Sequence, residues 1–182
     1  MKHASTFSVL VLLLTLTLTA TAQGQKAKSK EVRQAAMTDG KDLPFTARVS
    51  SNFRMGDSKY SRLVLNAWKA YDDNAFDSFN DFVADTVTAY MPDGSVVRGK
   101  ENFINGVKEY RGGFTTVKSE IDAWLPVKSL DIDREIVCIW GSETATKSDG
   151  TIQKLDLHEV WFFNRDGKLV FMRQFATQPP KM

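Results

Sequence analysis

One run of residues concentrates groups that can move a proton. The run from Leu155 to Phe163 reads as a β-strand, in which every second side chain shares a face. Leu155, Leu157, Glu159, Trp161 and Phe163 share that face, so a carboxylate sits in the middle of an otherwise apolar row. Burial disfavours the charged form of a carboxylate and raises its pKa, which makes Glu159 a candidate proton or hydrogen-bond donor near neutral pH. Asp156 and His158 share the opposite face, and a His-Asp pair can act as a general base. Each reading has a plain alternative: Glu159 as half of a structural ion pair, and His158 as a packed surface or interface histidine. His158 is the only histidine after residue 22 and Cys138 the only cysteine, so neither a zinc site nor an intramolecular disulfide is expected. The glycines form no phosphate-binding loop, and no cofactor is expected.

The elements that position this strand follow from periodicity. Tyr60, Leu63, Val64, Ala67, Trp68 and Tyr71 recur at three and four, which predicts a helix over 58–73 capped by Asp57 or Ser58. Phe76, Phe79, Phe82 and Val83 mark a second, short helix. A third runs over 100–110, with Phe103, Ile104, Val107 and Tyr110 inward and Gly112-Gly113 ending it. One early strand is predicted over 86–91. After the third helix come strands over 115–127, 134–146, 151–163 and 168–177, the last three joined by Asp-Gly turns at 149–150 and 166–167. Helices followed by an antiparallel meander is an α+β order.

Turn length sets which side chains meet. A two-residue turn at Asp149-Gly150 places Trp140 opposite Glu159, so Trp140 and Trp161 join Glu159's face as candidate ligand-binding residues. At the next turn two registers compete. A two-residue turn puts Gln174 opposite Glu159, and a three-residue loop puts Arg173 there, which would hold the carboxylate ionised. Val137, Ile139, Val160 and Phe162 make the other face apolar as well. Helices can cover one face only, so the second is expected to meet another copy of the chain or the N-terminal strap.

The chain opens with Lys2, an apolar run from Phe7 to Leu18, and Ala20-Thr21-Ala22, the pattern of a secretory leader cut after Ala22. A secreted or periplasmic protein without a membrane span is the expectation. Beyond the cut, 23 Lys and Arg stand against 22 Asp and Glu, a balance that argues against nucleic acid as a partner. Residues 23–57 read as a tether, with Leu43-Pro44-Phe45 and Phe53 available as an extended strap, and residues 58–178 as the folded domain.

The segment Leu155 to Leu169 followed by Met172-Arg173-Gln174-Phe175 resembles the closing hairpin of ketosteroid-isomerase and SnoaL-like proteins, in the nuclear transport factor 2-like superfamily. The likeness extends over about residues 58–177, including Phe82-Val83-Ala84-Asp85 and Gly99-Lys100-Glu101. It implies a cone, with helices packed in the concave face of a curved antiparallel sheet. It also implies that Glu159 occupies the place of a protonated acid that donates to an oxyanion, with Met172 and Gln174 on the pocket wall, which favours the Gln174 register. Trp68 lies near the family's oxyanion tyrosine, and Tyr71 one turn later. SnoaL-like cyclases use an acidic residue on the strand that here holds Asp156, His158 and Glu159. The chain departs from the isomerases where their catalytic Asp precedes a Pro, because here Met91 precedes Pro92.

The expected function is binding of a small hydrophobic molecule in an apolar pocket lined by Trp68, Tyr71, Met91, Trp140, Trp161, Met172 and Gln174. Glu159, Asp156 and His158 are the groups available for cofactor-independent isomerase-, cyclase- or dehydratase-like chemistry. A non-catalytic homodimeric accessory domain with a vestigial pocket is the alternative.

Overall fold

The structure, a computed structural model, describes residues 44–179. The leader, the tether from Gln23 to Asp39, and Leu43 of the strap lie outside the described residues. In chain order the elements are β1 (Phe53–Met55), α1 (Ser58–Asp72), α2 (Phe79–Phe82), β2 (Val83–Tyr90), β3 (Val96–Arg98), α3 (Lys100–Gly112), β4 (Thr116–Ser129), β5 (Arg134–Thr146), β6 (Ile152–Phe163) and β7 (Leu169–Thr177).

The strands form one curved, open sheet in the order β1-β4-β5-β6-β7-β2-β3, antiparallel except where β2 runs beside β7. α1 packs over β4 and β5, and α3 over β2 and β3. The stripe that makes α1 amphipathic is the stripe it buries: Tyr60, Val64, Ala67 and Trp68 point into the core. Asp57 caps the helix by accepting a hydrogen bond from Lys59 N at 2.9 Å. The core fills the space between helices and sheet with Phe79, Phe82 and Phe103 from the helical side and Val137, Ile139, Leu157, Trp161, Phe163, Leu169 and Met172 from the sheet. The strap residues Phe53–Met55 lie at the sheet edge, paired with Val127–Ser129 of β4. Asp131 holds the preceding turn there, accepting from Ser50 Oγ, Ser51 N and Asn52 N.

The first hairpin differs from the two-residue turn expected of Asp-Gly. Lys147 N donates to Thr151 O at 2.9 Å and Gly150 N to Lys147 O at 3.0 Å, so the loop is Ser148-Asp149-Gly150, with Gly150 at φ 83°. A three-residue loop ending in a left-handed glycine is the other common hairpin closure. It pairs Ile139, not Trp140, with Glu159, and that one-residue shift turns the whole of β5 over relative to the expectation. The second loop, Arg165-Asp166-Gly167, also has three residues, the version that would bring Arg173 to Glu159. A bulge at Val170, between the pairs Phe163–Leu169 and Phe162–Phe171, shifts β7 by one and restores Gln174 opposite Glu159.

Candidate functional site

Glu159 points into the core from the middle of β6 and is 5% exposed. Its carboxylate is held by three donors: Trp68 Nε1 from α1 at 2.6 Å and Trp161 Nε1 at 2.8 Å, both on Oε2, and Gln174 Nε2 from β7 at 2.7 Å on Oε1. Burial pushes its pKa up, and the hydrogen bonds from Trp161, Trp68 and Gln174 pull against that shift. An indole N–H can only donate, so any proton on Glu159 resides on Oε1, facing an amide that can turn its own oxygen to receive it.

Trp68 reaches this carboxylate because of Gly141. A Cβ at that position would lie 2.4 Å from Glu120 O and 3.1 Å from the Trp68 ring. β4 bulges at Asp122, between the pairs Ile121–Gly141 and Ala123–Trp140, and brings its backbone over the same spot. Only a residue without a side chain leaves room there for both the bulge and the ring.

A second acid enters from β5. Glu143 pairs with Leu155 and therefore shares the inner face with Glu159, where it is 5% exposed. Burial lifts its pKa to about 6; Tyr71 and Arg111 pull it down, while the negative charges of Asp72 and Glu159 raise it further. Tyr71 stands at the end of α1, and burial together with Glu143 keeps its phenol far above the ordinary value. The phenol stands close enough to Glu143 to lower its pKa, yet neither Tyr71 Oη nor Glu143 Oε1 has a hydrogen bond of good geometry among the described residues.

The end of α1 is fixed from two sides. Asp72 accepts from Ser119 N at 3.0 Å and Ser119 Oγ at 2.8 Å, which ties the helix to β4. Arg111 of α3 is buried and donates to Tyr71 O, Asp72 O and Phe114 O, each at 2.9 Å. A guanidinium there satisfies the last carbonyls of α1 and complements the negative end of its dipole.

These residues enclose a cavity of about 70 Å³, lined by Trp68, Tyr71, Glu143, Glu159, Trp161 and Met172 together with Ala67, Phe79, Phe103, Val107, Ser119 and Leu157.

Solved structures with this arrangement of helices over a curved sheet exist. A protein of unknown function from Exiguobacterium sp. 255-15 is described as NTF2-like, NTF2 being nuclear transport factor 2. It is 18% identical, with TM-score 0.52 over 63% of this chain and 97% of that one. A putative SnoaL-like polyketide cyclase from Shewanella denitrificans OS-217 is 11% identical, with TM-score 0.55 over 66% and 92%. The fold is NTF2-like. An LEH-like epoxide hydrolase from M. tuberculosis, at 13% identity, aligns with TM-score 0.54 over 66% of this chain and 84% of that one. No protein-family model and no curated protein sequence matches the chain.

Within this NTF2-like cone the expected site residues separate. Trp68, Tyr71, Trp161, Met172 and Glu159 line one cavity, and Gln174 bonds to Glu159 beside it. Met91 does not line it; it sits at the end of β2, in the turn closed by Met91 N donating to Ser95 O, and packs against the core rim. Trp140, Asp156 and His158 are on the outer face. Trp140 pairs with His158, their rings stacked at 4.8 Å and 10°, and Phe175 stacks on the histidine's other side. The expected sharing of a face by Trp140 and Glu159 fails because the first hairpin loop has three residues. Asp156 pairs with Ser142, while Glu143 pairs with Leu155 on the inner face. Glu143, Ser119 and Arg111 were not singled out from the sequence. The signal for Glu143 was present, since the same period-two argument that found Glu159 finds it once the loop length is known.

Among the described residues no group of three or more His, Cys, Asp or Glu is placed to hold a metal ion, and no helix is long and apolar enough to cross a membrane.

Proposed function

We propose that this is an exported NTF2-like domain that binds a small hydrophobic molecule in the cavity between α1, α3 and the sheet. The observation that carries the reading is an apolar cavity holding polar atoms without partners, Tyr71 Oη and Glu143 Oε1. A buried polar group without a hydrogen bond is destabilising by about 1–3 kcal/mol, and a ligand that supplies the bond recovers that energy. Two proteins of similar fold are named as a polyketide cyclase and an epoxide hydrolase, so the architecture accommodates chemistry on small organic molecules.

Glu159 is the floor of this site rather than its free acid. Three of the roughly four lone-pair positions on its carboxylate are occupied, and its role is to hold both indoles and Gln174 in place. Saturation-transfer NMR with compact apolar molecules tests the reading. Transfer to the ligand with a shift of the Met172 methyl supports it, and a library with no such binder overturns it.

A second reading is a homodimeric accessory domain, favoured by the outer face, where Trp140 is 37% and Phe175 51% exposed and none of the described helices covers the sheet. A second copy placed face to face would bury this surface. Sedimentation equilibrium should show a dimer that Trp140→Glu dissociates; a concentration-independent monomer for the unaltered chain would remove this reading.

A further inference from the structure

The cavity is unbalanced in charge and in hydrogen bonding. Glu143 and Glu159 line it and Asp72 acts on Glu143, against one cation, Arg111, which spends three of its five N–H donors on backbone carbonyls. No Lys, Arg or His lines the wall. Glu159 already accepts from Trp68, Trp161 and Gln174, and the atoms left without a partner are Glu143 Oε1 and the Tyr71 hydroxyl. Among its lining residues the one uncommitted donor is the Tyr71 O–H, and none carries a positive charge. An anionic ligand would add a further negative charge to a buried group that already repels its neighbours. A neutral apolar ligand would leave the Glu143 oxygen bare. A ligand carrying an ammonium supplies the missing charge and further donors, and the aromatic walls suit a cation's alkyl or aryl body.

We propose that the cavity is an amine site: a compact apolar molecule with a protonated amino group, its ammonium against Glu143 Oε1 and Tyr71 Oη and its body against Trp68, Phe79, Phe103 and Leu157. The proposal rests on the reading that the cavity takes a small hydrophobic molecule, and adds its charge. Size limits the ligand further. The cavity is small, about 70 Å³, which suits a short branched or cyclic amine and not a fused-ring system.

The groups facing Glu143 are known from every element packed on it: Tyr71 and Asp72 from α1, Arg111 from α3, Glu159 from β6, and the uncharged Ser119 from β4. Its pKa of about 6 leaves Glu143 ionised at pH 7.5 and ready to pair, and protonated below pH 6, where the pairing is lost.

Calorimetric titration of the protein with isobutylamine, isobutanol and isobutyrate at pH 7.5 is the test. The amine should bind about tenfold or more tightly than the alcohol, a conservative expectation for a charge-assisted contact, and the carboxylate should not bind. Amine affinity should fall below pH 6, and the preference should vanish in Glu143→Gln while the alcohol still binds. Tyr71→Phe keeps the carboxylate and removes the phenol contact, so it should weaken amine binding by less than Glu143→Gln does. Thermal melts of both variants establish that they are folded. If the alcohol binds as tightly as the amine, or Glu143→Gln leaves the preference intact, the amine assignment is wrong and the binding cavity stands. If none of the three binds, both fall for ligands of this size.

Discussion

The two faces of the β5–β6 ladder carry much the same residue types and do different things with them. The inner face has Glu143, Glu159 and Trp161; the outer has Trp140, Asp156 and His158. On the inner face α1 and α3 close over the acids, burial raises both carboxyl pKa values, and two polar atoms are left facing a cavity. On the outer face the histidine is packed between Trp140 and Phe175, and Asp156 lies at a half-buried position beside Thr177. Enclosure, more than residue type, makes one face a candidate site.

Removing the inner floor should be the most damaging change. Glu159→Ala leaves the Trp68 and Trp161 indoles and the Gln174 amide without their acceptor. At about 1–3 kcal/mol for each buried group, the loss should reach about 3 kcal/mol or more in denaturant unfolding. Glu159→Gln keeps an acceptor for the indoles and should lose much less. Equal losses in the two variants would mean that the three hydrogen bonds contribute little. Gly141→Ala comes next. Its methyl would meet Glu120 O at 2.4 Å and press on Trp68, so about 2–3 kcal/mol should be lost along with quenching of Trp68 by the carboxylate. An outer-face change of the same size, Cys138→Ala, should stay well below either.

What the sequence disclosed divides along the same line. The helix stripe Tyr60, Val64, Ala67, Trp68 was legible because a helix buries whatever recurs at three and four. The row Leu157, Glu159, Trp161, Phe163 was legible because alternation within one strand fixes its faces without reference to neighbours. Trp140 and Glu143 were not, because their face depends on β5 relative to β6, which one loop residue decides. Gln174 came out opposite Glu159 through two compensating features, a longer loop and a bulge at Val170, neither of which has a sequence signature as clear as Asp-Gly. Arg111 falls on the same stripe as Ile104 and Val107, but a charged residue at a core position is not read as core from the pattern. Its value lies in carbonyls of α1 that are near it only in the folded chain.

The pH dependence of stability should also separate the faces. Glu143 has a folded pKa of about 6 against an ordinary 4.5, so the folded state binds this proton more tightly than the unfolded chain. The resulting stability is fully present below pH 4.5 and is lost as the pH rises through 6, by at most about 2 kcal/mol. Glu159, also raised, acts in the same direction. Surface acids such as Asp131 and Asp133 are lowered by hydrogen bonds, so their contribution is present above the ordinary 3.8 and is lost as the pH falls below it. Unfolding free energy should therefore peak between about pH 4 and 5. Glu143→Gln should raise stability at pH 7.5 by about 1–2 kcal/mol and flatten the fall between pH 4.5 and 7. A variant with an unchanged profile would place the titration elsewhere.

The smallest expected effect bears on how the two faces were assigned. Gly150 closes the β5–β6 loop at φ 83°, and a Cβ there would meet nothing within 4 Å, so Gly150→Ala changes only backbone preference. A left-handed alanine is unfavourable by about 1 kcal/mol, and that should be the whole loss if the three-residue loop is kept. The Trp68 and Trp161 environment would then be unaltered in fluorescence. If the chain instead escaped the strain by adopting a two-residue turn, Trp140 would move opposite Glu159 and Glu143 would leave the cavity. The indole emission and the Glu143 titration would then both change. A loss near 1 kcal/mol with both signals fixed therefore indicates that the register is held by the inner face, by Glu143, Gly141 and Ile139 under α1, and that the glycine only relieves the turn.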